Sequence, residues 1–97
     1  MSHIDVSRHH RLGLDGAREA AERVADDLRH EFPFESWWEG NTLRVRGTGF
    51  KGRIEAHSET VRVAADLGLV LRPLRGRIRA EVEDYLDRYT RDGADGG

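Results

Sequence analysis

Apolar positions recur along the chain with two different periods, and the points where the period changes predict the elements. In His3-Ile4-Asp5-Val6-Ser7-Arg8, Ile4 and Val6 alternate with polar neighbours, the pattern of a half-buried strand. Beyond Leu12-Gly13-Leu14, Asp15 stands as an N-cap before a helix whose inward stripe is Ala17, Ala20, Ala21, Val24, Leu28 and Phe32. Pro33 ends that helix, because the residue before a proline is driven out of helical geometry. The opposite face, with Arg18, Glu19, Glu22, Arg23, Asp26 and Asp27, reads as an ordinary solvated surface.

From Phe34 to Leu67 the period falls to two. Gly40-Asn41 is a two-residue hairpin signal. It sets Trp38 opposite Leu43 and Ser36 opposite Val45 on one face, and Trp37 opposite Arg44 and Glu35 opposite Arg46 on the other. A cation–π contact of Arg44 with Trp37 and a Glu35–Arg46 ion pair are expected across the strands. After Gly47-Thr48-Gly49 the next strand points Phe50, Gly52, Ile54 and Ala56 inward and Lys51, Arg53 and Glu55 outward. His57-Ser58-Glu59 turns the chain back, and the last strand buries Val61, Val63, Ala65 and Leu67. Leu71, Leu74, Ile78, Val82, Tyr85, Leu86 and Tyr89 then recur at three and four residues, the stripe of a long amphipathic helix. The prediction is one α+β domain over residues 1–90, ordered β-α-β-β-β-β-α, with both helices packed on the single apolar face of an antiparallel sheet. Residues 91–97, with their Gly and Asp, read as a disordered tail.

Ninety-seven residues bury only a modest core, so stability is expected to be marginal. The net charge of −2 conceals a strong segregation: residues 1–40 carry 5 Arg against 9 acids, residues 41–80 carry 9 basic against 3 acidic residues, and residues 81–97 carry 2 Arg against 6 acids. The absence of cysteine excludes disulfides, thiolate nucleophiles and Cys-based metal sites. No apolar run approaches the roughly 20 residues of a membrane span, and the polar first thirty residues lack a signal-peptide core. A soluble cytoplasmic protein is expected.

The outward sheet face gathers Arg44, Arg46, Lys51, Arg53 and Arg62 around Trp37, the residue types that contact phosphates and stack on bases. Glu35, Glu55 and Asp66 dilute it, and a single aromatic is a poor stacking platform. Solvent-facing Lys and Arg commonly guard a sheet against association, so nucleic acid ranks last among partners. In the final helix Arg72, Arg75, Arg77 and Arg79 come first and Glu81, Glu83, Asp84 and Asp87 last, against the helix dipole, at roughly a few tenths of a kcal/mol each. That order is either incidental or a sign that Arg72, Arg75 and Arg79 meet an anion. Gly76 weakens the helix and allows close packing or a kink there.

Candidate chemistry is sparse. Of the five histidines none forms an i, i+4 helical pair, and His9-His10 reads as polar sequence after a strand more readily than as a weak metal site. Gly47-Thr48-Gly49 lacks the remainder of a dinucleotide or phosphate-loop motif and is read as a turn. Ser36, Thr48 and Ser58 have no base placed beside them by spacing. No catalytic residue, metal site or cofactor is expected, and the chain reads as non-enzymatic.

Trp38-Glu39-Gly40-Asn41-Thr42-Leu43, then Gly49-Phe50-Lys51-Gly52-Arg53-Ile54, then Leu67-Gly68-Leu69-Val70-Leu71-Arg72-Pro73-Leu74-Arg75-Gly76-Arg77-Ile78 resemble the polyhydroxyalkanoic acid system family. The resemblance runs from Ile4 to about Tyr89 and carries no active-site residues. It implies an accessory protein of the bacterial polyhydroxyalkanoate storage system, located at the storage granule, with the granule surface or granule proteins as partners. The architecture also looks like a reduced helix-grip, which makes a carrier of a hydrophobic or acyl ligand the second reading and a nucleic-acid-binding or regulatory module the third. A homodimer is compatible with all three. Granule contact requires apolar surface, and the candidates are Leu69, Val70, Leu71 and Leu74, flanked by Arg72 and Arg75. The simpler expectation is that these residues seal one end of the core; the alternative leaves Leu69 or Val70 exposed.

Overall fold

The computed structural model describes residues 2–91. β1 (Ser2–His9), α1 (Gly13–Arg29), β2 (Phe34–Glu39), β3 (Thr42–Gly47), β4 (Phe50–Ala56), β5 (Thr60–Leu67) and α2 (Arg75–Thr90) follow the expected order, with a 3₁₀ turn, Arg72–Leu74, ahead of α2. Residues 92–97 of the segment read as a disordered tail lie outside the described residues. The five strands form one antiparallel sheet in the order β1-β5-β4-β3-β2.

Local chemistry accounts for the meander. Gly40 takes a positive φ of 60° and Asn41 does not, the pattern of a type II′ turn, whose twist matches that of the strands it joins. The register that follows, Trp38 opposite Leu43 and Trp37 opposite Arg44, is the predicted one.

The start of α1 differs from expectation. The helix begins at Gly13, two residues before Asp15, and its N-cap is Leu12, which offers no side-chain cap. Asp15 instead occupies the first turn, where a carboxylate suits the positive end of the dipole. His10 organises the entry: its Nδ1 accepts the Leu12 N–H at 3.0 Å, and its Nε2 lies 3.0 Å from the His57 carbonyl oxygen. A neutral imidazole protonated at Nε2 satisfies both partners. At 6 % exposure His10 is a buried structural group.

Both helices cover one face of the sheet. Ala17, Ala20, Ala21 and Val24 of α1 and Ile78, Val82 and Leu86 of α2 meet Ile4, Val6, Leu43, Ile54, Val61 and Val63. The alanines let α1 lie close to the strands. The helices run antiparallel, as two bonds one turn apart show: Tyr89 Oη–H donates to Asp27 Oδ2 at 2.6 Å, and Tyr85 Oη–H to Glu31 Oε2 at 2.7 Å. The interior left over has a volume of about 50 Å³ and an almost wholly apolar lining. Small-molecule pockets begin near about 300 Å³, so this helix-grip-like core is filled and offers an acyl chain no room. Gly76 has nothing within 4 Å of where a Cβ would stand, so close packing does not explain it.

Hydrogen bonding to Glu31, then burial, pushes the Tyr85 hydroxyl up to about 12, and the Asp27 carboxylate with burial raises that of Tyr89. A raised tyrosine pKa stabilises the fold fully below the unfolded value near 10, and that contribution is lost as pH climbs through the folded value. Urea midpoints are therefore expected to fall between about pH 10 and about pH 12, and the double substitution Tyr85→Phe/Tyr89→Phe should flatten that alkaline limb.

Candidate functional site

The outward sheet face is built by strand alternation, and the structure ties its arginines down one by one. Arg62 forks onto Asp5, with Nε donating to Oδ1 at 2.8 Å. Arg53 Nε donates to Glu55 Oε2 at 2.6 Å, and His57 Nε2 lies 3.1 Å from Glu55 Oε1. Arg44 Nε and Trp37 Nε1 both donate to Glu39, at 3.1 and 3.0 Å. The bonds from Arg62 hold the Asp5 carboxyl below its ordinary range, those from Arg53 and His57 do the same for Glu55, and those from Trp37 and Arg44 for Glu39.

Trp37 therefore engages Glu39 rather than stacking with Arg44. The cation–π contact forms on the other side of the sheet, where the Arg18 guanidinium of α1 stands 4.0 Å from the Trp38 ring. Glu35 and Arg46 are opposed in register, yet among the described residues they close no ion pair. Asp5 and Glu39, absent from the expected face, bring it to five carboxylates against five cations. Both were within reach of strand alternation: Glu39 shares the parity of Trp37, and Asp5 lies between Ile4 and Val6. The face holds an open trough of about 740 Å³ lined by five cations and by three of these carboxylates, Asp5, Glu39 and Asp66; Arg44, Arg53 and Arg62 are tied to acids, which makes it a poor seat for a polyanion.

The pole where β5 passes into α2 differs. The Gly68 N–H donates to the Gly49 carbonyl at 2.7 Å, and the Gly68 carbonyl accepts from the amides of Leu71 and Arg72, each at 3.1 Å. This turn pins the backbone and leaves residues 69 and 70 at its apex. Leu69 is 79 % exposed and Val70 83 %, so the expectation that they seal the core is overturned; Leu71, folded back under the turn, packs on the core instead. Leu74 stands at 37 % exposure beside them.

The arginines at the start of α2 divide. Arg79 is bound by Glu83 at 3.0 Å and Arg77 by Glu81 at 3.2 Å, both at i, i+4, which answers the adverse dipole order within the helix and removes Arg79 as an anion contact. Arg75 Nε donates to the His3 carbonyl at 3.0 Å. Among the described residues Arg72 has no acidic partner, and the same holds for Arg46 and Lys51, which face one another across β3 and β4.

The described residues contain no group of three His, Cys, Asp or Glu side chains able to hold a metal ion, and no helix long and apolar enough to cross a membrane. No curated protein matches the chain in sequence. The solution structure of PA4090 from Pseudomonas aeruginosa has a similar fold, with a TM-score of 0.61 over 100 % of this chain and 88 % of that one, at 15 % identity. The family model described as "Putative polyhydroxyalkanoic acid system protein" matches residues 4–89, a span that begins in β1 and ends one residue short of the end of α2. The chain thus belongs to the polyhydroxyalkanoic acid system family.

Proposed function

We propose that this protein is a non-enzymatic accessory of the polyhydroxyalkanoate storage system, acting by contact with the granule surface through Leu69 and Val70. The observation that carries the reading is the exposure of these two adjacent aliphatic side chains, 79 % and 83 %, on a turn held at Gly68 by hydrogen bonds to Gly49, Leu71 and Arg72. Full burial of a Leu or Val side chain contributes about 1.5–3 kcal/mol, so the pair supplies reversible contact that strengthens when many copies share one particle. The non-enzymatic part rests on the carboxylates of Asp5, Glu31 and Glu55, each engaged by an arginine or a tyrosine.

Co-sedimentation with protein-stripped polyhydroxyalkanoate granules tests the reading, with latex beads and an unrelated acidic protein as controls. Wild-type protein is expected in the granule pellet and not with the beads. Leu69→Ser/Val70→Ser should keep its circular dichroism and melting temperature while losing most of that binding. Wild-type protein that stays in the supernatant would overturn the proposal.

A further inference from the structure

We infer that the same pole binds the anionic headgroups of a phospholipid layer, with Arg46, Lys51 and Arg72 taking the phosphates and Leu69 and Val70 entering the acyl boundary. This rests on the granule-surface reading and names the chemistry of the surface met.

Arg46 and Lys51 stand directly opposite one another on the outward face of β3 and β4, an arrangement of like charges that destabilises a sheet. The adjacent opposed pair, Arg44 and Arg53, is relieved by Glu39 and Glu55. Arg46 and Lys51 close no ion pair among the described residues, although Glu35 and Asp66 stand opposite them in register on the outer side. Arg72 lies in the same open groove, about 430 Å³ in volume, together with Leu69 and Asp66. One acid and three unpaired cations leave this groove positive while the rest of the sheet face is close to neutral. An anion docked here pairs with cations that close no ion pair among the described residues.

The apolar apex decides what kind of anion. A free phosphate offers nothing to Leu69 and Val70, and bare polyester offers no anion to the three cations. A headgroup layer over acyl chains satisfies both, since long cationic side chains reach the headgroup plane while aliphatic groups sink below it.

The test is flotation of the full chain with vesicles of phosphatidylcholine alone and of phosphatidylcholine mixed with phosphatidylglycerol. Selective binding to the anionic vesicles is expected, weakening as salt shortens the screening length. Partitioning should fall roughly fivefold for each cation removed and about a hundredfold for Arg46→Gln/Lys51→Gln/Arg72→Gln, whose exposed side chains hold no described partner; Arg88→Gln at the far end of α2 serves as control. Equal binding to both vesicle types, wild-type binding by the triple variant, or displacement by inorganic phosphate at constant ionic strength would overturn the inference. Binding to stripped granules without binding to anionic vesicles would sink the headgroup assignment and leave the granule reading standing. The reverse result would sink the granule reading alone.

Discussion

Truncating Ile54 to alanine is expected to destabilise the fold by about 3–5 kcal/mol, the upper part of the range for large-to-small core changes. Ile54 is 1 % exposed, lies on the central strand β4 between Leu43 and Val63, and already borders the small apolar cavity of about 50 Å³. The three carbons removed enlarge an existing void instead of opening a new one that neighbours on one side can close. Each added cubic ångström costs about 24 cal/mol on top of the lost transfer energy. For a domain of this size, one kcal/mol moves the melting temperature by about 4–8 °C, so a fall of roughly 15–30 °C is expected by circular dichroism. A fall under about 5 °C would mean that α1 and α2 settle onto the sheet and collapse the void, contrary to the packing described.

The strand register and the two helical stripes were legible because each depends on neighbours close in sequence. Gly40-Asn41 fixes Trp38 against Leu43 by turn length alone, and the period of Ile78, Val82 and Leu86 needs no partner to be read. The misreadings share the opposite cause. His10 is held by the His57 carbonyl, 47 residues away, and Trp38 by Arg18 from α1, contacts that no local period reveals. Pairing of β1 with β5, and not with β2, satisfies the same alternation of Ile4 and Val6, so strand order had no local signature. The run Leu67-Gly68-Leu69-Val70-Leu71 is apolar throughout, and only the hydrogen bonds of Gly68 decide which side chains turn inward. The site itself was half legible: Leu69, Val70 and Arg72 stood out by composition, whereas their grouping with Arg46 and Lys51 required the β3–β4 turn to lie beside the β5–α2 turn. Asp5 and Glu39 cancel the basic face by geometry that alternation permits and composition hides.

Placing a side chain on Gly52 is expected to be as damaging as removing one from Ile54. Gly52 faces inward on β4 between Val45 and Ala65, where alternation alone would favour a large aliphatic residue. A Cβ there would stand 2.5 Å from the Ala64 carbonyl oxygen and 2.9 Å from the Ala65 Cα. Both are backbone atoms of β5, so relief requires β4 and β5 to part and surrender ladder hydrogen bonds, not merely a rotamer to change. Overpacking costs about 1–3 kcal/mol where side chains can yield; Gly52→Ala is expected at the top of that range and Gly52→Val beyond it. Gly76 provides the contrast within the same protein. It lies in α2 with open space around its missing Cβ, and alanine there should stabilise by about 0.5–1 kcal/mol through helix propensity. Urea midpoints of Gly52→Ala and Gly76→Ala should therefore move in opposite directions from wild type. If Gly52→Ala melted within about 2 °C of wild type, β5 would have to yield at Ala64, and the close strand contact would not be what requires glycine.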